Sequence, residues 1–145
     1  MNRAGSAVDP SAFRSFLRRL STFLDPPPGD LAVLLCDDEE ISDLNRQWRG
    51  KARPTDVLSF PGGGATARGR THLGDLAISV ETLARAARRK RGPIEREIEM
   101  VLAHGLLHLL GFDHETDDGT MMRLQARALR FARSKKSAKN RTRRR

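Results

Sequence analysis

The sequence predicts a mixed α/β protein in which a small sheet is covered by helices. Three short apolar runs bounded by turn residues have the length of buried strands, at residues 31–36, 56–60 and 73–80. They alternate with segments whose apolar residues recur every three or four positions, as in helices with one buried face. A chain of 145 residues without internal repeats is long enough for one core, so we expect a single domain.

Capping residues and turn residues mark where the helices begin and end. Asp9-Pro10 is typical of a helix start, Asp37 or Asp38 can cap a second helix, and Gly111 suits a left-handed helix end. After the second strand, residues 61–71 are expected to form a glycine-rich turn and a flexible loop. The five helices are expected at residues 10–24, 38–48, 81–90, 94–110 and 118–132.

The net charge of +9 comes almost entirely from the C-terminal segment. Residues 133–145 contain eight Lys and Arg and no acid, which leaves 19 basic and 18 acidic residues in positions 1–132. We therefore expect a folded domain at residues 1–132 and a disordered basic tail at 133–145. The tail favours attraction to RNA or DNA phosphates, and a solvated extension that only aids solubility is the alternative.

The sequence carries no sign of export or membrane insertion. No apolar stretch approaches the roughly 18 residues of a membrane span, and residues 1–9 lack the apolar segment of a secretory signal. A cytoplasmic protein without a membrane partner is expected. Cys36 is the only cysteine, so an intramolecular disulfide is excluded and a buried thiol is expected.

Three of the four histidines fall within eleven residues: His104, His108 and His114. The first two are four residues apart on a predicted helix, so both rings project from one face. The third follows Gly111, where the chain can turn back toward them. Three neutral imidazoles leave one position of a tetrahedral zinc open, which is typical of catalytic sites. The sequence therefore predicts one Zn²⁺ at the end of this helix, in a metal-dependent hydrolase.

The residue after the first of these histidines bears on the substrate. Metzincin zinc proteases share the histidine spacing and carry a glutamate there as general base. Position 105 is glycine, which cannot accept a proton. Peptide hydrolysis is therefore disfavoured, although a zinc peptidase stays as an alternative, and the uncompensated zinc charge favours an anionic substrate such as a phosphodiester.

Three further polar residues are not among the expected catalytic residues. Asp113 either orients a ligand histidine, acts in proton transfer or serves local turn chemistry, and the turn role is favoured. Asp75 is interpreted as a turn residue or as an acid that contacts a metal ligand and not the metal itself. His72 has no partner at ligand spacing and is expected at the surface.

Three motifs resemble the YbeY family of bacterial endoribonucleases, which are involved in ribosomal RNA maturation. They are HGLLHLLGFDH at 104–114, PTDVLSFP at 54–61 following NRQWRG at 45–50, and LGDLAIS at 73–79. Together they cover most of residues 30–115 in the order of the family. The first eight residues, the glycine-rich loop and the tail contribute little to the resemblance.

The resemblance implies a single α/β domain with a mixed four-stranded sheet and a zinc held by the three histidines. It also implies cleavage of single-stranded RNA, with roles in 16S rRNA 3′ end maturation and ribosome quality control, and therefore the ribosome or small-subunit proteins as partners. The functional arginine of the family falls on Arg49, whose guanidinium can bind a phosphate and oppose transition-state charge. Arg49 and His114 are thus the expected catalytic residues, and Arg49 and Ser59 the expected substrate-binding residues.

Two residues depart from the usual pattern of the family. Phe112 stands where tyrosine is common, which removes a phenolic hydroxyl. Gln125 stands where the last helix often has glutamate, so a salt bridge or an acid role is not expected there. The general base stays unassigned. A ribosome assembly factor with a structural zinc is a further alternative, motivated by the basic tail.

Overall fold

Three strands form a mixed sheet in a computed structural model of the chain, which describes residues 8–65, 71–113 and 118–143. The strands are β1 (Asp30–Cys36), β2 (Val57–Ala65) and β3 (Thr71–Ser79), in the sheet order β1-β3-β2. Strand β3 pairs in parallel with β1 and antiparallel with β2. The four-stranded sheet implied by the resemblance is wrong for the described residues, because the remaining described segments form helices and short connections.

Five α-helices surround the sheet, as predicted: α1 (Arg14–Leu24), α2 (Asp38–Arg49), α3 (Val80–Lys90), α4 (Ile94–Leu109) and α5 (Thr120–Arg143). A 3₁₀ turn, Pro10–Phe13, precedes α1, and its Asp9 cap accepts a hydrogen bond from the Ser11 amide. Asp37 caps α2 by accepting from the Glu40 amide. No helix within the described ranges is both long and apolar enough to cross a membrane.

The two faces of the sheet are covered to different extents. One face packs through Leu35, Leu76 and Ile78 against a core shared with α1, α3, α4 and α5. The other face carries a smaller cluster with Cys36 and Leu58, packed against α2. Cys36 is fully buried, which confirms the prediction for the thiol. The larger core therefore lies on the α4 side, and the α2 side is only partly covered.

Strand β2 is longer than predicted. Residues 61–65 were expected in a turn and a loop, but β2 continues through them after an irregularity between Pro61 and Gly64. A side chain at Gly62 would put its Cβ 1.7 Å from the His72 carbonyl oxygen, so only glycine allows this close approach to β3. Pro61 is tolerated because β2 is an edge strand. Residues 66–70, the rest of the expected loop, lie outside the described residues.

Helix α5 also continues beyond its predicted end. The sequence predicts a helix to residue 132 and a disordered tail at 133–145, whereas the backbone of residues 133–143 is helical. No Gly or Pro follows Gly119, and Ala, Lys and Arg are good helix formers, so nothing in the sequence ends the helix. Residues 144 and 145 are not described, and the domain boundary at 132 stays a prediction.

Asp38 connects the start of α2 to β3 and α3. One oxygen of its carboxylate accepts hydrogen bonds from the Ser79 and Thr82 hydroxyls at 2.6 Å each. The other oxygen lies 2.7 Å from an Arg85 guanidinium nitrogen. Partial burial raises the pKa of the Asp38 carboxyl, but the hydrogen bonds and the arginine charge together outweigh this effect and hold the pKa below its ordinary value.

This cluster predicts a pH-dependent contribution to stability. Because the folded-state pKa of Asp38 is lowered, its carboxylate stabilises the fold above the unfolded-state pKa of about 3.9, and the effect is lost as the pH falls through the folded-state value. We expect Asp38→Asn to lower the free energy of unfolding by about 1–3 kcal/mol near neutral pH. The difference from the unmodified protein should shrink below about pH 4.

Urea unfolding between neutral pH and about pH 3 measures this difference. The matched control is Asp43→Asn on the same helix, where the side chain is 63% exposed and lies 3.4 Å from Arg46. This change should cost less than about 0.5 kcal/mol. An Asp38→Asn difference that is constant with pH would contradict the role given to the Asp38 charge.

Candidate metal and substrate site

His104 and His108 lie one turn apart on α4 and their rings meet edge to face, with centroids 4.6 Å apart. The two Nε2 atoms face each other at a distance of 3.0 Å. Two nitrogens bound to one tetrahedral zinc stand about 3.3 Å apart, as follows from zinc–nitrogen bonds of about 2.0–2.1 Å. The pair therefore has nearly the spacing of two ligands of a single ion.

Both rings are oriented by a carbonyl oxygen at the opposite nitrogen. The Nδ1 of His104 donates to the side-chain Oε1 of Gln125 on α5, at 2.9 Å. The Nδ1 of His108 donates to the main-chain carbonyl of Phe112, at 3.0 Å. A carbonyl can only accept, so each Nδ1 carries a hydrogen, and a ring in its neutral form then presents a lone pair at Nε2.

The donor chemistry of this pair fits zinc, since imidazole nitrogens are preferred zinc ligands and their Nδ1 partners fix the metal-binding tautomer. His114, the predicted third ligand, lies outside the described residues, so its role stays a prediction. Within the described ranges no group of three or more His, Cys, Asp or Glu is placed to hold a metal ion. Asp113 is exposed, and its turn role also stays a prediction.

Gly105 brings α4 close to β3 beside the first histidine. A methyl group at this position would lie 2.7 Å from the Leu76 Cδ2 atom, inside the normal contact distance of two carbons. Close packing is therefore the physical reason for glycine here. It outweighs the roughly 1 kcal/mol that glycine costs in a helix relative to alanine.

A cleft of ≈ 730 Å³ opens beside the two histidines, between α4 and the segment that runs from the end of α2 into β2. Three cationic side chains line it: Arg49, Lys51 and Arg53. The other residues lining the cleft are Asn45, Pro54, Thr55, Asp56, Val57, Leu58, Ser59, Pro61, His104, His108 and Leu109. The cleft thus combines a pair of metal-type ligands with three cationic side chains and one carboxylate, Asp56, and the excess of positive charge suits a negatively charged chain.

Arg49 and Ser59, the predicted substrate-binding residues, meet in this cleft. The Nη2 of Arg49 donates to the main-chain carbonyl of Ser59 at 3.0 Å. Arg49 is the last residue of α2 and is exposed, and one hydrogen bond uses only one of the five N–H groups of a guanidinium. The structure therefore brings Arg49, Ser59, His104 and His108 together around one space.

Two site residues were missed from the sequence. Asn45 is 4% exposed and its Nδ2 donates to the Arg53 carbonyl at 3.0 Å, which fixes the segment that carries the cations. Gln125 is 5% exposed and orients His104. A signal existed for the second, since Gln125 stands four residues after Met121 on the buried face of α5, and a buried amide requires a partner.

The remaining histidine and its neighbouring acid lie apart from this pair. The Nε2 of His72 is 3.2 Å from the Oδ2 of Asp75, and both residues belong to β3. His72 is only partly exposed, not fully at the surface as expected. Asp75 is not a turn residue, because it lies within the strand, and its carboxylate contacts His72 of the same strand.

Comparisons with known proteins identify relatives of this chain. A curated Endoribonuclease YbeY from Anaeromyxobacter sp. is 44% identical over 126 residues, which cover 81% of this chain and 65% of that protein. The Endoribonuclease YbeY of Nautilia profundicola is 47% identical over 92 residues, or 63% and 64% of the two chains. That of Jannaschia sp. is 46% identical over 118 residues, or 73% and 74%. The chain thus spans less than two thirds of the length of the first two relatives.

A solved structure supports the same relationship at the level of the fold. The solution structure of TM1509 from Thermotoga maritima has a TM-score of 0.65 and 27% sequence identity, and the alignment covers 96% of this chain and 93% of that one. The family model described as Endoribonuclease YbeY matches residues 10–132, which is most of the chain and includes all the residues of the cleft. The resemblance read from the three motifs is thereby confirmed, and the chain belongs to the YbeY endoribonuclease family.

Proposed function

We propose that this protein is a zinc-dependent endoribonuclease that cleaves single-stranded RNA. The observation that carries the proposal is the cleft in which two Nε2 atoms, 3.0 Å apart, open onto Arg49, Lys51 and Arg53. The relatives are named Endoribonuclease YbeY, which supports RNA as the substrate class. We further propose, from the family resemblance, that it acts in 16S rRNA 3′ end maturation and ribosome quality control, with the ribosome or small-subunit proteins as partners.

In this proposal the zinc is coordinated by three histidines. His104, His108 and His114 are the ligands, and the carbonyl oxygens at the Nδ1 atoms of the first two keep their Nε2 lone pairs directed at one point. Zinc held by these residues would supply a Lewis acid that could polarise a phosphoryl oxygen and offset its charge.

Arg49 supplies the second positive charge at the phosphate. Its guanidinium is anchored by the Ser59 carbonyl, so its position beside the cleft is defined before a substrate arrives. The planar group can donate two parallel hydrogen bonds to phosphate oxygens and oppose the charge that develops during cleavage. Lys51 and Arg53 add attraction to neighbouring phosphates, which weakens as salt concentration rises.

The two alternatives are less well supported. A zinc peptidase needs a proton acceptor where Gly105 packs against Leu76, and a cationic cleft is not required for a peptide. An assembly factor with a structural zinc needs a closed site with four protein ligands, whereas this pair of histidines opens onto a cleft. The extension of α5 to Arg143 adds a basic helix that suits either an enzyme or an assembly factor.

The first test distinguishes the contribution of the metal to cleavage from that of Arg49. We expect Arg49→Ala to keep its zinc but to cleave a labelled single-stranded RNA at least about 100-fold more slowly, because a transition-state charge partner is lost. His108→Ala should lose both zinc and cleavage. Zinc content is measured by elemental mass spectrometry and cleavage by gel electrophoresis.

The matched control for the arginine is Arg46→Ala, which removes a guanidinium from the same helix at a side chain that is 67% exposed and pairs with Asp43. This variant should cleave at nearly the normal rate. Normal cleavage by Arg49→Ala would remove the proposed role, and chelator-sensitive hydrolysis of casein with RNA left intact would favour the peptidase.

The second test concerns the hydrogen bond from His104 to Gln125. Replacing the amide with a side chain of similar size that cannot accept, Gln125→Leu, should weaken zinc binding by about 10- to 100-fold, because the tautomer and orientation of the ring are no longer fixed. Gln125→Glu restores an acceptor and should retain zinc affinity. Competition with a chromophoric chelator measures affinity, and nitrogen NMR of the ring reports which atom carries the hydrogen.

Arg123→Ala, on the same helix at a side chain that is 65% exposed, is the control and should bind zinc normally. Circular dichroism verifies that each variant is folded. If Gln125→Leu binds zinc as tightly as the unmodified protein and keeps the hydrogen on Nδ1, Gln125 does not position the ligand.

A further inference from the structure

The partly covered face of the sheet carries an apolar groove of ≈ 770 Å³ next to α2. Residues of β1, β3 and α2 line it, and Trp48 and Phe60 stand at one side. Trp48 is 64% exposed. In the described part of the chain, Met122 is the only other large apolar side chain that is exposed. An exposed indole beside an apolar groove is typical of a binding surface.

Trp48 and Phe60 form an aromatic pair at the rim of the groove. Their ring centroids are 6.0 Å apart and the ring planes meet at 70°. The edge-to-face contact restrains the indole, while its exposed fraction of 64% leaves ring surface available to a flat ligand. The pair therefore suits a planar group that stacks on an aromatic ring.

The groove and the cleft meet at the free edge of β2. Trp48 and Arg49 are consecutive on α2 and contact consecutive residues of β2: the indole meets Phe60, and the guanidinium meets the Ser59 carbonyl. Side chains alternate between the faces of a strand, so Ser59 belongs to the cleft and Phe60 to the groove. Pro61 lines both.

We propose that the groove binds a nucleobase of the RNA strand, stacked on Trp48, while Arg49 binds an adjacent phosphate. The proposal rests on the proposed function, which places the phosphates in the cleft. An apolar aromatic site beside a cationic site matches a nucleotide, in which a flat base and a charged phosphate are joined by one sugar.

The charge in the groove also favours a base over the RNA backbone. Asp75 is the carboxylate that lines the groove, and His72 lies 3.2 Å from it. A carboxylate at this position repels a phosphate but tolerates an uncharged base. A protein partner or a second copy of this chain would have no need of the adjoining cations, so continuity with the cationic cleft favours RNA.

The fluorescence of the chain gives a direct test, because Trp48 is its only tryptophan and it has no tyrosine. Full-length protein kept free of zinc with a chelator is titrated with hexa-adenylate, so that binding is measured without cleavage. We expect saturable quenching of the tryptophan emission. An abasic ribose-phosphate oligomer of the same length should bind through its charge with little quenching. Quenching by both oligomers, or by neither, would overturn the proposal.

Variants test the contribution of the ring to affinity. Trp48→Ala should weaken binding of labelled hexa-adenylate, measured by fluorescence anisotropy, by about tenfold, while binding of the abasic oligomer stays the same. Trp48→Phe should retain most of the affinity, because it keeps an aromatic surface. Met122→Ala, at the other exposed apolar residue, is the matched control and should bind normally.

Normal hexa-adenylate binding by Trp48→Ala would overturn the proposal. The proposal would also be overturned if Trp48→Ala changed only self-association, measured by light scattering, because this result would assign the groove to a second copy of the chain. Cleavage by the zinc-loaded protein is measured separately. If the unmodified protein cleaves RNA but Trp48→Ala binds hexa-adenylate normally, the proposed function stands and the proposed base site is wrong. If the protein shows base-dependent quenching but does not cleave RNA, the base site stands and the proposed function is wrong.

Discussion

The close approach of α4 to Leu76 of β3 at Gly105 helps to set the position of the histidine pair. The absence of a side chain there lets the helix backbone rest against Leu76, where a methyl group would lie only 2.7 Å from a side-chain carbon. Ile98 and Leu102 bury the same side of the helix in the larger core, both at 1% exposure or less. His104 is therefore held on a helix that is buried in the core, and a larger residue at position 105 would require the buried Leu76 side chain or the helix to move.

Packing sets the position of the histidines, and hydrogen bonds from two other parts of the chain set their chemistry. The acceptor for His104 comes from Gln125 on α5, and the acceptor for His108 is the Phe112 carbonyl just beyond α4. The two Nε2 atoms, 3.0 Å apart, are thus oriented by tertiary structure and not by the helix alone.

The parts of the fold that depend on local patterns could be predicted from the sequence, and those that depend on contacts between distant segments could not. The helices, the strands and the histidine pair follow from spacing along one element. The continuation of β2 depends on Gly62 meeting the His72 carbonyl, so a stretch that is typical of a turn forms a strand. Gln125 was interpreted only as a missing charge, because its bond to His104 exists only once α4 and α5 are packed. Residues 133–143 were expected to be disordered from their charge, but their helix propensity agrees with the helix that the structure contains.

The edge position of β2 explains why an arginine, and not simply a positive charge, stands at the end of α2. An edge strand exposes main-chain groups that must be satisfied or protected, and Arg49 satisfies the Ser59 carbonyl with one of its five N–H groups. The remaining donors of the same rigid fork can face a phosphate in a fixed orientation. A lysine has one compact ammonium group on a flexible stem, so it would bind the carbonyl and the phosphate together less well. The same hydrogen bond thus covers a carbonyl at the edge of the sheet and orients the cation in the cleft.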